Sequence, residues 1–410
     1  MYWDKLSYDE VAAQIDEALS KNISYKTKNI LGVPGSYLDE EQFYDDAPFI
    51  EDSPFLKTLV ANPNHIGCHT LIEDAEPFFK GTQAIEKDLI KLCAEEILKG
   101  EKDAHDGYVA SGGTEANIQA MWIYRNYFIK KNNASSNEIA VVYSEDSHYS
   151  MPKGVNILNL SSIILNVDDA SRMILKTDLE EKIATAKKQG IKYFIVIANM
   201  STTMFGSVDD ITFLTQFFEK NLLSYKLHVD GAFGGFIYPF TNLESIFNFQ
   251  NKKIDSFTLD GHKMLQSPYG TGIFIIRKEY MQYALTEEAN YVLGKDYTIC
   301  GSRSGANAVS VWMILKTHGS EGLKVKMKSL VDRTRSLGKK LEKLGIEFYH
   351  NPFINIITIR SKYISPVLAK KYFLVPDDHS ENPNWYKIVI MDHVKQGAID
   401  KFVLDLKSSL

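Results

Sequence analysis

The chain has 410 residues, 44% hydrophobic and 24% charged, with 46 Lys+Arg against 52 Asp+Glu for a net charge of −6. No basic excess marks a nucleic-acid binder, and 12 Pro with 25 Gly are too few for a disordered or collagen-like chain. Cys68, Cys93 and Cys300 fit neither a disulfide framework nor a metal-binding spacing, which points to reduced thiols and a cytoplasmic setting. No secretory leader is read at the N-terminus, and no run of about 18 apolar residues predicts a membrane span.

Tyr8, Val11, Ala12, Ile15 and Leu19 recur at helical spacing and predict an opening amphipathic helix. A proline-punctuated acidic stretch from Pro34 to Pro63 reads as an irregular crossing segment. Ile85, Leu89, Cys93 and Ile97 then mark one helix face, and Ala120, Met121, Tyr124 and Phe128 another. Short β-branched runs lie between and after them: Tyr108–Ala110, Ile139–Tyr143, Tyr193–Ala198, Lys226–Val229, Ser256–Leu259 and Gly272–Ile276. Such runs separated by helices predict an α/β fold with a mainly parallel sheet. After about Gly301 the pattern becomes two helical stretches, Ala306–Lys316 and Glu321–Leu344, then strands Phe353–Ile359 and Lys387–Met391, then a closing helix Gln396–Leu406. The expected organisation is an N-terminal arm over 1–60, a large domain over 61–300 and a small α+β domain over 301–410.

Three short segments carry the chemistry. Ser111-Gly112-Gly113-Thr114-Glu115 follows a strand and opens a helix, so its backbone N–H groups and the helix dipole favour an anion. It matches neither GxxxxGK[ST] nor GxGxxG, and Gly-Gly at such a turn also serves purely structural ends. Asp230, in His228-Val229-Asp230-Gly231-Ala232, closes an apolar strand where open α/β sheets place ligand-binding groups, although a helix N-cap explains it equally. Lys263 follows the strand Ser256–Leu259, where burial lowers an amine's proton affinity as Schiff-base chemistry requires; taken alone it reads as a surface lysine. Phosphate turn, strand-end Asp and strand-end Lys, in that order, meet the needs of pyridoxal phosphate.

At these residues the chain resembles the group II pyridoxal-phosphate-dependent amino acid decarboxylases of the aspartate aminotransferase fold (fold type I), most of all the archaeal-type tyrosine/aspartate decarboxylases. SGGTEAN (111–117), SEDSHYSMPKG (144–154), STTMFGSVDDI (201–211), HVDGAFGGF (228–236), DSFTLDGHK (255–263) and GSRSG (301–305) carry the likeness. The resemblance implies a PLP-dependent transferase fold and decarboxylation of an L-amino acid to its amine and CO2. It implies pyridoxal 5'-phosphate on Lys263, its pyridine nitrogen paired with Asp230, and its ring between His148 and Ala232. Thr202 would approach the ring hydroxyl, and Gly113, Thr114 and His262 would hold the phosphate. A homodimer with shared active sites is implied, with Ser302 reaching the partner's phosphate.

Tyr291, on the loop after the Schiff-base strand, would protonate Cα. Lys387 stands near an arginine that binds substrate carboxylate in archaeal relatives, but lysine lacks the bidentate fork. Neither nucleic acid nor membrane is expected as a partner, and His65, Cys68 and His69 read as pocket lining rather than a metal site. A carbon–carbon lyase or an aldehyde synthase on the same cofactor is the competing expectation.

Overall fold

The computed structural model describes Asp9 and residues 28–32, 80–286, 294–380 and 382–410. The opening helix, the crossing segment, His65, Cys68, His69 and Tyr291 lie outside the described residues. Seven strands form the larger sheet: β1 (His105–Ala110), β2 (Ile139–Ser144), β3 (Ser161–Leu165), β4 (Tyr193–Asn199), β5 (Ser224–Gly231), β6 (Ser256–Asp260) and β7 (Gly272–Arg277). Their order is β1-β7-β6-β5-β4-β2-β3, and only β7 runs against its neighbours. Six coincide with the apolar runs read from the sequence. The seventh, β3, is an edge strand burying only Ile163 and Leu165, so it offers no continuous apolar run.

Helices cover both faces. Val109, Val142, Val196, Val229 and Ile275 point into one core, closed by α1 (Lys80–Lys91), α4 (Lys176–Lys188) and α5 (Ile211–Lys220). Tyr108, Val141, Ile195 and Phe274 point into the other, closed by α2 (Gly113–Asn132) and α3 (Ser150–Ile157). Under α2, the alternate residues of β5 and β6 are polar: His228, Asp230, Ser256, Thr258 and Asp260, all buried. This polar strip sets up the site.

α6 (Gly305–Lys343) starts at Ser304, whose hydroxyl caps the Asn307 N–H, and bends where Gly319 leaves helical geometry at φ 61°. The bend falls between the two helical stretches read from the sequence. Ala308, Val311 and Ile314 of its first part join the larger core; Leu337 and Leu341 of its second join a separate one. That second core lies on an antiparallel sheet of β8 (Phe348–His350), β9 (Ile356–Arg360), β10 (Val375–Pro376) and β11 (Trp385–Val389), in the order β10-β11-β9-β8. α7 (Pro366–Tyr372) and α8 (Gln396–Ser409) complete it, and Leu31 joins it through a bond from its N–H to the Tyr372 carbonyl.

One buried ion pair ties the start of α6 to the larger sheet. The Arg303 guanidinium forks onto the Glu86 carboxylate, and Glu86 also accepts the Val109 N–H at 2.7 Å. Both side chains are almost fully enclosed. Removing one partner strands the other charge, so Arg303→Leu is expected to cost about 3–5 kcal/mol of stability, with the double replacement Arg303→Leu/Glu86→Leu recovering much of it. Chemical denaturation of the three proteins checks this; a single variant as stable as the parent would remove the pair from the stability account.

Candidate active site

Because β4, β5 and β6 run parallel, their carboxyl ends lie along one edge, with Asn199 opposite Asp230 in register. The loops beyond them bring Thr202, Ala232 and Lys263 to that edge, the place where open α/β sheets build sites. The Ser111–Gly113 turn delivers the start of α2 there. Gly113 has no room for a side chain: a Cβ would lie 2.9 Å from Asp260 Oδ2 and 3.0 Å from Ala232 Cβ. The helix start therefore sits directly against the strand ends, with first-turn N–H groups that have no intrahelical acceptor.

A cavity of about 380 Å³ opens here, lined by Gly113, Thr114, His148, Ala232, His262 and Lys263 among others. Lys263 Nζ lies 3.1 Å from Asp260 Oδ2, and His262 Nε2 lies 3.6 Å from the same oxygen. Burial pushes the His262 imidazole down in pKa. The other Asp260 oxygen is buried and accepts no hydrogen bond from the described residues. Asp260 is a site residue that the sequence analysis does not single out; its signal is its position three residues before Lys263 in DSFTLDGHK.

Asp230 is buried and accepts two hydrogen bonds, from Asn117 Nδ2 at 2.9 Å and from the Ala232 N–H at 3.0 Å. His148 Nδ1 accepts the Ser150 N–H at 3.2 Å and lies 2.9 Å from the Ser150 hydroxyl. Burial pushes the His148 pKa down, against the opposing pull of Asp230, and so favours the neutral ring. Thr202 is buried and does not line this cavity; its hydroxyl lies 2.7 Å from Ser207 Oγ. It follows Ser201, which holds φ 80°, a left-handed conformation uncommon outside glycine and a mark of a constrained turn. Ser302 is exposed and does not line this cavity.

The donor set fits a phosphorylated pyridine aldehyde. A side-chain-free helix start suits the phosphate, Lys263 supplies an amine, and Asp230 supplies a carboxylate at the sheet edge. The comparisons agree. Residues 56–355 match the pyridoxal-dependent decarboxylase conserved domain. The chain belongs to the pyridoxal-dependent decarboxylase family. It decarboxylates an amino acid to the amine and CO2 with pyridoxal 5'-phosphate, as the relatives' chemistry requires.

The decarboxylase is 49% identical over 406 residues to a tryptophan decarboxylase of Clostridium sporogenes, covering 99% of this chain and 97% of the relative. A probable L-tyrosine/L-aspartate decarboxylase of Methanocella arvoryzae is 32% identical over 335 residues, covering 80% and 84%. Among solved structures, the L-methionine decarboxylase of Streptomyces sp.590 superposes with a TM-score of 0.78 at 17% identity, covering 98% of this chain and 95% of that one. When bound, the cofactor supplies the electron sink for the pair released as the Cα–carboxylate bond breaks.

A second cavity, of about 780 Å³, opens on the other side of His148 and Tyr149 and reaches β11. Phe205 and Trp385 meet edge-to-face in its wall, 5.7 Å between ring centroids. A guanidinium covers each ring: Arg172 over Phe205 at 3.9 Å and Arg360 over Trp385 at 3.7 Å. Lys387 lines this cavity and donates to the Thr203 carbonyl at 3.2 Å. Burial and, next, the charge of Lys263 push its pKa down to about 8. Among the described residues no helix is long and apolar enough to cross a membrane.

Proposed function

We propose that this decarboxylase acts on aromatic L-amino acids, tryptophan foremost, as a homodimer with shared active sites. The cavity of about 780 Å³ beside His148 carries the substrate reading, because it has room for an indole side chain and Phe205 and Trp385 lie in its wall. The 49% likeness to a tryptophan decarboxylase supports it. In this reading Lys263 carries the cofactor, Asp230 pairs with its pyridine nitrogen, and His148 and Ala232 flank its ring. Gly113, Thr114 and His262 take the phosphate, Thr202 supports the ring hydroxyl, and Tyr291 gives the proton to Cα. Ser302, on an exposed turn before α6, serves the partner's phosphate. The large domain over 61–300 and the small one over 301–410 remain the working division, with the arm over 1–60. A reducing cytoplasm suits the free thiols of Cys93 and Cys300.

Screening aromatic, acidic and sulfur amino acids for CO2 and amine release tests the substrate. Tryptophan is expected to give the highest kcat/KM; a preference for aspartate or glutamate would overturn the aromatic reading. Lys387 enters as the group that pairs with substrate carboxylate. It is charged below about pH 8 and neutral above, so kcat/KM should fall as pH rises through that value. Lys387→Met should lower kcat/KM at least about tenfold, the scale of a lost charge-assisted hydrogen bond. Lys387→Arg, which keeps its charge, should carry activity to higher pH. An alkaline limb that does not move in the arginine variant would remove Lys387 from substrate binding.

A further inference from the structure

Beneath α2 the polar strip of β5 and β6 forms a continuous hydrogen-bond chain whose direction can be derived. The Tyr124 hydroxyl donates to Ser256 Oγ, which lies 2.7 Å from His228 Nδ1. His228 Nε2 lies 2.9 Å from Asn117 Oδ1 and 3.1 Å from Thr258 Oγ1. Asn117 Nδ2 lies 2.9 Å from Asp230 Oδ2 and 3.0 Å from Ser150 Oγ. Tyr124, Ser150, His228 and Ser256 are fully enclosed and Asn117 is 1% exposed.

The amide can face only one way, because its oxygen placed against the Asp230 carboxylate would oppose two acceptors. Asn117 therefore presents N–H to Asp230 and C=O to His228. Burial pushes the His228 pKa down to about 4, so the ring is neutral and owns a single N–H. An amide oxygen cannot donate, so that proton sits on Nε2, and Nδ1 accepts from Ser256. Every bond then runs donor to acceptor from Tyr124 toward Asp230. The second N–H of Asn117 occupies a lone pair of Ser150, which leaves the Ser150 proton for His148 Nδ1. Neutral His148 accordingly carries its own proton on Nε2.

We propose that Asn117 is a positioning residue for decarboxylation: one amide N–H orients the Asp230 carboxylate, and the other turns the Ser150 hydroxyl toward His148 Nδ1, where it joins the Ser150 backbone N–H in holding the ring. The proposal rests on the reading that Asp230 and His148 serve the cofactor ring. It adds that one uncharged side chain on α2 coordinates both, from a position that lines the cofactor cavity. Polar networks of this kind act as a unit, since each member's donor direction depends on the next.

Two near-isosteric replacements, Asn117→Leu and Asn117→Asp, separate positioning from space-filling. The readouts are the cofactor dissociation constant, the pH dependence of the visible absorption band, and kcat. The titratable groups around the amide and its two partners are Asp230, His228 and His148, with Lys263, Asp260 and Lys153 acting on His148. In the leucine variant the dissociation constant should rise and kcat should fall, each at least about tenfold, with substrate KM little changed. In the aspartate variant two carboxylates oppose each other, so binding should be as weak at about pH 8 and recover toward about pH 5, where the added carboxyl is protonated and donates to Asp230.

Recovery in acid for the aspartate variant alone supports the proposal. Wild-type affinity and band in both variants, or variants running parallel at every pH, would overturn it. Ser150→Ala removes the hydroxyl bond to His148 Nδ1 while keeping the backbone N–H bond to that nitrogen and the Asn117–Asp230 bond, so it should shift the pH dependence of the band with a smaller change in affinity. It decides the matter with the aspartate variant if the leucine variant fails to fold; an unmoved band there would remove the His148 half. Asp230→Asn distinguishes the underlying reading. If it too leaves band and affinity untouched, the role of Asp230 fails; if it alters both while the Asn117 variants do not, only the role of Asn117 fails.

Discussion

Lys263→Ala is expected to abolish decarboxylation, by at least about a thousandfold, or about 4 kcal/mol of barrier. It should also remove the visible absorption band of the bound cofactor. Lys263 occupies the single π-helical turn Gly261–Leu265 directly after β6, within 3.1 Å of the enclosed Asp260 carboxylate. That places the amine at the cavity and gives it a local counter-charge, so under the proposed role its removal would take away both attachment and a positioned base. Arginine should not rescue it, because a guanidinium never yields a neutral nucleophile. A second amine makes the experiment discriminating. Lys387 is buried, faces the neighbouring cavity and has a pKa near 8, so its chemistry alone would nominate it for cofactor attachment. Lys387→Met should keep the band while Lys263→Ala loses it; the opposite result would reassign the attachment lysine.

Much of this site was legible because its residues stand at strand ends. Apolar runs revealed β1, β2 and β4 to β7, and residues just after a run in a parallel sheet fall at the carboxyl edge whatever the strand order. Asp230, Lys263 and the 111–114 turn were found that way. β8, with three half-buried residues, and α7, with seven, were too short and too weakly patterned to register. The hidden part of the site had a different cause. In HVD and SFTLD the apolar residues alone mark a strand, and the polar alternates His228, Ser256, Thr258 and Asp260 look like interruptions until the sheet puts them on one face. Asn117 was hidden for a related reason. It sits on a helix whose apolar face is read as Ala120, Met121, Tyr124 and Phe128, whereas the polar residues Glu115, Asn117 and Gln119 are buried on the same helix. Nothing within GSRSG gives Arg303 a role; its partner Glu86, far away in sequence, supplies one.

Asp230→Ala is expected to slow decarboxylation between about tenfold and a thousandfold, the range set by how much of a buried pair's value of about 3–5 kcal/mol falls on the transition state. The carboxylate is held in place before any ligand arrives: Asn117 donates to one oxygen and the Ala232 N–H to the other. A charge already oriented at the sheet edge needs little reorganisation to keep a proton on the pyridine nitrogen, which is where electrostatic catalysis gains most. Truncation to alanine leaves the Asn117 amide and the Ala232 N–H without their acceptor, so weaker cofactor binding should accompany the rate loss. Assays at saturating cofactor separate the two. A rate restored by excess cofactor would confine Asp230 to binding, whereas a kcat that stays low, with substrate KM nearly unchanged, places its charge in the bond-breaking step. Asp230→Asn sharpens the test, since it keeps the shape and removes only the charge. Its amide N–H, turned toward Asn117, opposes donor to donor; turned the other way, it opposes the Ala232 N–H. Neither orientation satisfies both neighbours, so the asparagine variant should be no faster than the alanine one.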